Sequence, residues 1–315
     1  MGAGKQQHQG WTPEAMSTLS GKTYLITGAT SGTGFQTARA LLAKGAKVVM
    51  LNRNPAKSKE TIATLKNEFG HDTDVEAIQL DLADLSNVKA AAQKILDTVA
   101  SIDALICNAA IAQVPNHKLT IDGFESQLGT NHYGHFALCG MLFDRIEKSL
   151  GRIIVVASLG YNLGLKTIQF DDMNWRHKYS PNSAYSQSKL AQMMFAYELQ
   201  DRVSAAEKKV EVYVCHPGSS STSLIKTNGN KTTRFLFWLM TKTPIVQTAE
   251  KGAYPALMCA TQDGLEQRAL YGPTGMLEFV GPVGKGTLNA HAYDKATMQR
   301  LWEISEQETG VAWEL

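Results

Sequence analysis

The chain has 315 residues, of which 43% are hydrophobic and 19% charged, as in an ordinary globular protein with a sizeable core. Its formal net charge of +2 argues against a nucleic-acid partner, which would call for a strong basic excess. The four cysteines include no C-x-x-C pair, a usage that is typical of a reducing compartment.

The first twenty residues are polar and lack the apolar core of a signal peptide. We expect residues 1–20 to be a poorly ordered tail in which only Trp11 acts as an anchor. No apolar run approaches the roughly 18 residues that cross a bilayer. The sequence therefore predicts a cytoplasmic protein without an integral membrane segment, and one domain over residues 21–315.

From residue 22 onward, apolar strands alternate with helices. Strands are predicted at 23–28, 47–52, 75–82, 103–108, 152–158 and 210–218, and helices at 35–45, 56–70, 184–205 and 249–260. Strands that are apolar throughout indicate a parallel sheet covered on both faces. Right-handed crossovers make such a sheet doubly wound. We therefore expect an α/β protein, a single Rossmann domain with a mostly parallel seven-stranded sheet flanked by helices.

A glycine-rich turn, Thr27 to Gly34, joins the first strand to the first helix. Gly28 permits a tight turn, Gly32 lets the backbone approach a pyrophosphate, and Gly34 allows close packing of helix on strand. The helix N-terminus adds N–H groups and partial positive charge. This position predicts a dinucleotide site, with Thr30, Ser31 and Thr33 as further contacts; an ordinary tight turn is the alternative.

The second and third strands end at residues that can select the nucleotide. Asn52 and Arg53 stand where an NAD site carries Asp or Glu. A guanidinium can grip the 2′-phosphate of NADP, so NADP(H) is predicted, unless Arg53 is only a solvated surface charge. Asp81-Leu82 places a carboxylate near the adenine, or else Asp81 caps the next helix.

The spacing Tyr185-x-x-x-Lys189 puts a phenol and an ammonium on one helix face. The ammonium should lower the pKa of the phenol, so that Tyr185 exchanges a proton with an alkoxide near neutral pH. Ser158 ends the fifth strand and could bind the substrate carbonyl. Asn131, in the preceding helix, could hold a water that links Lys189 to solvent.

These motifs together resemble the short-chain dehydrogenase/reductase family over roughly residues 20–275. The T-G-x-x-x-G-x-G turn, Asp81-Leu82, Asn108-Ala109-Ala110 and Pro217-Gly218 match its cofactor motifs, with Ala110 in place of a glycine. The resemblance implies a tetrad, and it implies that Asn108, Ala109, Pro217, Gly218 and Thr222 contact the cofactor together with Tyr185 and Lys189. The implied tetrad is Asn131, Ser158, Tyr185 and Lys189.

Within that family, the runs at 130–136 and 215–218 look most like the retinol-dehydrogenase-like branch, which also contains relatives of light-dependent protochlorophyllide reductase. The resemblance implies a substrate lid over 219–248, and a C-terminal extension follows at 272–315. An apolar run at 234–240 suggests an apolar substrate; a packed helix and a membrane-resting patch are the alternatives. The resemblance also implies that an insert such as 159–183 can block the family's usual dimer contact, so either a monomer or a homodimer is expected.

The predicted function is an NADP(H)-dependent oxidoreductase that transfers a hydride between the nicotinamide and a small-molecule carbonyl or alcohol. No metal is expected. One alternative is an NADP-binding regulatory or scaffold protein without turnover. Another is a different reaction, such as epimerisation or dehydration, because a fold does not determine chemistry.

Overall fold

A computed structural model describes residues 10–220 and 246–315 of the chain. Thr222, the apolar run 234–240 and most of the expected lid lie outside the described residues. Within those two ranges, no helix combines the length and the apolar character that crossing a bilayer requires.

One sheet of eight strands forms the centre of the described structure. The strand order is β3-β2-β1-β4-β5-β6-β7-β8, and neighbours are parallel except for the antiparallel pair β7 and β8. The strands are β1 (Thr23–Thr27), β2 (Lys47–Asn52), β3 (Val75–Gln79), β4 (Ala104–Cys107), β5 (Arg152–Val156), β6 (Glu211–Cys215), β7 (Leu270–Pro273) and β8 (Val283–Lys285). The doubly wound, mostly parallel sheet is confirmed. It has one strand more than predicted because Val283–Lys285 folds back along β7.

Helices cover both faces of this sheet. In the described residues they are α1 (Gly32–Leu42), α2 (Pro55–Phe69), α3 (Leu85–Thr98), α4 (Ser126–Leu128), α5 (Gly134–Lys148), α6 (Pro181–Ala205), α7 (Ala249–Thr261) and α8 (Lys295–Thr309). A π turn, Gly129–Tyr133, joins α4 to α5, and short 3-10 turns lie at Pro13–Ala15, Leu159–Asn162, Phe170–Asp172, Met276–Glu278 and Ala290–Tyr293. Helix α6 begins three residues before the predicted start, because Pro181 occupies its first turn and Ser180 caps it.

The core has two halves because successive strand residues point to opposite faces of the sheet. Leu25 and Leu105 contribute to the half that α3, α5, α6 and α8 cover. Their neighbours Ile26 and Ile106 contribute to the half that α1 and α7 cover. Both faces are therefore buried, which explains why the strands are apolar throughout.

The N-terminal segment needs a correction from Gly10 onward. Met16 and Leu19 are each only 6% exposed and belong to the core half beneath α1. The Trp11 N–H donates to the carbonyl of Val283 at 3.4 Å, so Trp11 is an anchor as expected. Residues 10–20 are not a free tail, because the apolar side chains between their polar residues pack on the sheet.

The C-terminal helix α8 packs against α5 and α6 through aromatic rings. Trp302 lies 5.1 Å from Phe136 between ring centroids, and Trp313 lies 5.8 Å from Phe195. His132 contacts Ser305 of α8, with 2.7 Å between Nε2 and Oγ. The extension at 272–315 thus supplies a strand to the sheet and a helix to the core.

Candidate active site

A cavity of about 470 Å³ opens at the carboxyl ends of the parallel strands, where open α/β sheets bind their ligands. It brings together most residues that the sequence singles out. The lining includes Gly28, Thr30, Ser31, Gly32, Thr33, Arg53, Asp81, Leu82, Asn108, Ala109, Ser158, Tyr185, Lys189, Pro217 and Gly218. Gly34 and Asn131 lie behind this lining and support it.

The glycine turn has the backbone that its sequence requires. Gly28 and Gly32 have φ of 70° and 60°, in the left-handed region that favours glycine. A Cβ on Gly34 would lie 2.5 Å from both the Asn108 amide nitrogen and the Gly28 carbonyl. The turn and the start of α1 therefore approach the cavity as bare backbone, which suits a bound pyrophosphate.

Thr27 ties the glycine turn to β4. Its Oγ1 accepts the backbone N–H groups of Asn108 and Ala109, each at 2.9 Å, and lies 2.9 Å from Nε2 of His135. The His135 Nδ1 is 2.8 Å from the carbonyl of Asn131. Because a carbonyl can only accept, Nδ1 carries the proton and Nε2 accepts the Thr27 hydroxyl. Burial lowers the pKa of His135 to about 4 and keeps the ring neutral.

At one end of the cavity, the Asn52 side chain links the glycine turn to α2. Its Oδ1 accepts the backbone N–H of Ala29 at 2.7 Å, and its Nδ2 donates to Ser58 at 3.1 Å. Arg53 and Lys57 are exposed and line the cavity beside it. A neutral amide thus fills the position where a carboxylate would repel a 2′-phosphate, with two cations at the rim.

The structure distinguishes between the two alternatives for Asp81, a place at the cavity and a helix cap. The helix α3 is capped by Asp84, whose carboxylate accepts the N–H groups of Ser86 and Asn87. Asp81 instead accepts the N–H of Ala83 at 3.1 Å and lines the cavity. The capping alternative is wrong, because Asp84 is the residue that directly precedes the helix.

Ser158 and Tyr185 meet at the opposite end of the cavity. The Gly160 N–H donates to Ser158 Oγ at 3.1 Å, which holds the serine hydroxyl beside the Tyr185 phenol. A Cβ on Gly160 would lie 2.8 Å from the Tyr185 ring, so this glycine makes room for the phenol. Burial raises the pKa of Tyr185, and a hydrogen bond with Ser158 works against that rise. The expectation that Lys189 lowers this pKa is wrong: only burial and Ser158 act on it, and burial dominates because a phenolate removed from water is costly.

Lys189 is 3% exposed and lies one turn after Tyr185 on α6. Its Nζ donates to the Val156 carbonyl at 3.1 Å and to Gln192 Oε1 at 2.8 Å. Burial lowers the pKa of Lys189 to about 7, since the interior disfavours a charge. An ammonium that titrates near neutrality beside a phenol is a feature of functional sites.

The side chain of Asn131 is hydrogen-bonded to Ile111 in the cavity wall and to Ser188 of α6. Its Oδ1 accepts the Ile111 N–H, and its Nδ2 donates to the Ile111 carbonyl and to Ser188, all at 2.9 Å. Its own carbonyl accepts from His135. The side chain of Asn131 thus fixes Ile111 in the cavity wall, and the expected role of this residue in holding a water stays a prediction.

The Pro217-Gly218 turn completes the wall and rests on two side chains that the sequence reading did not assign to the site. His216 Nδ1 accepts the Gly218 N–H at 3.2 Å, and Gln247 Nε2 donates to the Pro217 carbonyl at 2.8 Å. Burial lowers the pKa of His216 to about 4, so this ring stays neutral and able to accept. In the sequence, His216, Gln247 and Gln192 could have been recognised as site residues only because each is a polar residue beside an apolar run or a known motif.

A family model described as short chain dehydrogenase matches residues 22–233, which is more than half of the chain. The chain belongs to the short chain dehydrogenase family. Members of this family use a nicotinamide cofactor. The bare glycine turn, the helix N-terminus and the Pro217-Gly218 wall of this chain fit such a group.

Relatives extend the likeness over nearly the whole chain. Human "Retinol dehydrogenase 12" is 33% identical over 297 residues, covering 94% of this chain and 89% of the relative. Human "Retinol dehydrogenase 14" is 36% identical over 311 residues, covering 93% and 88%. The chain is thus similar to a retinol-dehydrogenase branch of the family, as the motifs at 130–136 and 215–218 indicate.

Solved structures give the same architecture. An uncharacterised protein from Mycobacterium paratuberculosis is 36% identical and matches with a TM-score of 0.79, covering 97% of this chain and 100% of that one. Levodione reductase matches with a TM-score of 0.63 at 18% identity, covering 78% and 92%; this second likeness concerns the fold alone.

Proposed function

We propose that this protein is an NADP(H)-dependent oxidoreductase that transfers a hydride between the nicotinamide and the carbonyl or alcohol carbon of an apolar substrate. One observation carries the proposal: a single cavity joins the bare glycine turn to Ser158, Tyr185 and Lys189. Simple nucleotide binding does not require those three side chains together. The NADP-binding scaffold is therefore the weaker candidate.

Each residue of the catalytic end has a role that its contacts support. The bound cofactor supplies or accepts the hydride. The Ser158 hydroxyl, held by the Gly160 N–H, donates to the substrate oxygen and stabilises developing negative charge. Tyr185 gives the proton during reduction and removes it during oxidation. The Lys189 ammonium favours the phenolate that remains after proton transfer.

The apolar substrate rests on two supports. The relatives with high coverage are named retinol dehydrogenases, and the cavity wall includes Ile111 and Val156. Several expectations stay predictions. These are the lid over 219–248, the C-terminal extension at 272–315 as part of one domain, the cytoplasmic location, and the choice between monomer and homodimer.

Replacing Tyr185 by Phe tests the reaction. The experiment follows NADPH oxidation over a panel of carbonyls from short polar aldehydes to retinal. We expect turnover to favour the long apolar carbonyls, and Tyr185→Phe to lower kcat by about 10³-fold because the proton donor is lost. Unchanged turnover would refute the mechanism, and NADPH binding without turnover on any substrate would favour the scaffold alternative.

Tyr197→Phe is the matched control for that experiment. Tyr197 lies on the same helix and is fully buried, but its hydroxyl donates to the Ala269 carbonyl at 3.2 Å and does not line the cavity. This variant should lose about 1 kcal/mol of stability and keep its turnover. A parallel loss of activity in both variants would point to damage of α6 instead of lost chemistry.

Cofactor choice is tested by titrating NADPH and NADH. Because Arg53 and Lys57 can pair with a 2′-phosphate, NADPH should bind at least about ten-fold more tightly. Arg53→Ala should reduce that preference without affecting NADH. Arg39→Ala, which removes an arginine paired with Glu68 outside the cavity, should change neither affinity. Equal or tighter binding of NADH by the unaltered protein would remove the NADP assignment.

A further inference from the structure

Gln192 lies three residues after Lys189 on α6 and is 1% exposed. Its Oε1 accepts a hydrogen bond from Lys189 Nζ at 2.8 Å. Helix neighbours at this spacing face one another, so the amide oxygen and the ammonium are held together by the helix itself. Gln192 does not line the cavity and can affect chemistry only through Lys189.

The nitrogen of the Gln192 amide, unlike its oxygen, is unsatisfied. This Nε2 is buried and has no hydrogen-bond partner among the described residues. A buried donor without a partner lowers stability and calls for an explanation. Methionine would fill a similar volume without a polar group. The presence of glutamine here is therefore explained by its oxygen on Lys189 and not by packing.

Gln200, two turns further along α6, shows what a structural glutamine looks like in this protein. Its Nε2 donates to the Val212 carbonyl at 2.7 Å, and its Oε1 accepts the Arg268 N–H at 2.9 Å. Both ends of this buried amide are satisfied, and they join α6 to β6 and to the segment before β7. Among the described residues, Gln192 hydrogen-bonds only the Lys189 ammonium on its own helix.

Among the described residues, the partners of Lys189, which lines the cavity, occupy two of its three N–H donors. Two are taken by Val156 and Gln192. The other titratable groups whose charges act on Lys189 or respond to it are Cys215 of β6 and His135 of α5, with Tyr185 on its own helix. None of these is a carboxylate, so a neutral amide oxygen stabilises the ammonium without cancelling its charge.

We propose that Gln192 is a positioning residue that keeps Lys189 charged and directed at the cavity, at a cost to the stability of the fold. This inference rests on the proposed function, in which the Lys189 charge acts on Tyr185. In this proposal, the hydrogen bond to Gln192 offsets part of the free-energy cost of burying the ammonium. The carboxamide is the suitable group because a carboxylate would neutralise Lys189 and an apolar side chain would not stabilise its charge.

The first test measures Lys189 itself and does not need turnover. Protein labelled with 13Cε-lysine is titrated by NMR, and Lys189→Met identifies the Lys189 signal. Gln192→Met should lower the pKa of Lys189 by about one unit, because the ammonium loses a hydrogen bond. Gln192→Glu should raise the pKa by a similar amount, because a carboxylate favours the charged form. Gln200→Met should leave it unchanged.

The second test measures alcohol oxidation against pH. In Gln192→Met, Lys189 loses its charge at a lower pH, so at pH 7 fewer Lys189 side chains favour the phenolate of Tyr185 and kcat should fall. A one-unit shift from a pKa of about 7 predicts a fall in kcat of about five-fold at pH 7, with KM unchanged. The melting temperature should not fall. Gln200→Met should show the reverse: a lower melting temperature and an unmoved profile.

The outcomes separate the two proposals. A Lys189 pKa that stays unchanged in both Gln192 variants overturns the role of Gln192, whatever the turnover. If the pKa shifts as expected but Tyr185→Phe keeps full turnover, the proposed function fails and the positioning of Lys189 stands. A melting temperature that falls as much in Gln192→Met as in Gln200→Met would assign Gln192 to packing and refute the proposal.

Discussion

The region proposed to bind the cofactor phosphates, from β1 to α2 (the phosphate-binding region), differs from the region proposed for catalysis, from β5 to α6 (the catalytic region), in how its polar groups are satisfied. In the first, the Asn52 amide is satisfied at both ends and Gly34 packs against backbone. In the second, Lys189 is a buried ammonium with a pKa lowered to about 7, and Gln192 has an unpartnered nitrogen. The first region is built for stability, whereas the second retains unfavourable burial.

This difference predicts in which region a substitution should change stability and activity in opposite directions. Substitutions in the phosphate-binding region should harm the fold and cofactor binding together, because the same contacts serve both. Substitutions in the catalytic region can relieve a burial cost while they abolish chemistry, as in other strained active sites. Four experiments test this contrast between the two regions.

The largest effect is expected for Lys189→Met. Loss of the ammonium should lower kcat by about 10³-fold. The same change should raise the free energy of unfolding at pH 7 by about 2 kcal/mol, because the pKa of Lys189 is depressed in the folded state and a buried charge is removed. Urea unfolding and turnover measure the two effects.

Lys208→Met is the control, since Lys208 is a partly exposed lysine paired with Glu147. It should change the free energy of unfolding by less than about 1 kcal/mol and leave kcat unchanged. A loss of stability in Lys189→Met would contradict the view that the catalytic region carries a burial cost.

Acid should act through the buried histidines that flank the catalytic region. Burial lowers the pKa of His132 to about 3 and those of His135 and His216 to about 4. Between pH 6.5 and 4 the unfolded chain therefore binds protons that the folded chain does not, so stability falls as pH falls. The slope of the free energy of unfolding against pH should approach about 4 kcal/mol per pH unit. The phosphate-binding region contributes no histidine to this slope, because residues 23–69 contain none.

Urea unfolding at a series of pH values measures that slope. His71→Gln removes an exposed histidine and should leave the slope unchanged. His135→Gln should reduce it by about a third. A stability that stays level from pH 6.5 to 5 would mean that these rings are not held neutral.

In the phosphate-binding region, Gly34→Ala should cost about 3 kcal/mol of stability and weaken NADPH binding, because its Cβ would lie 2.5 Å from the Gly28 carbonyl. Gln36→Ala, in the same helix and outside the cavity lining, should affect neither quantity. Thermal unfolding and cofactor titration provide the readouts. Normal cofactor affinity in a destabilised Gly34→Ala protein would separate the two properties that this region is expected to join.

The smallest expected effect gives the most direct comparison. Asn52→Leu should lower stability by about 2 kcal/mol, because the buried Ala29 N–H loses its acceptor. Gln192→Met, the corresponding removal of a buried amide in the catalytic region, should lower it by nothing measurable. Equal losses in the two variants would end the distinction between the regions.

How much of the site could be predicted depends on whether a residue works through local spacing. The glycine turn, Tyr185 and Lys189 are local patterns, and all of them lie at the cavity. Asn131 was singled out by resemblance, but the engagement of its amide by Ile111 and Ser188 could not be foreseen. Such partners are distant in sequence, and only the folded chain brings them together.

Local patterns were enough to predict the class of sheet, the glycine-rich turn at the cavity and the cavity residues Ser158, Tyr185 and Lys189, because strand alternation, glycine conformations and helix spacing are local properties. The tertiary structure decided the eighth strand, the packing of residues 10–20, and the neutral state of His135. The lowered pKa of Lys189 and the unpartnered amide nitrogen of Gln192 likewise follow only from the folded chain. These depend on desolvation and on contacts between distant segments, which no local pattern encodes.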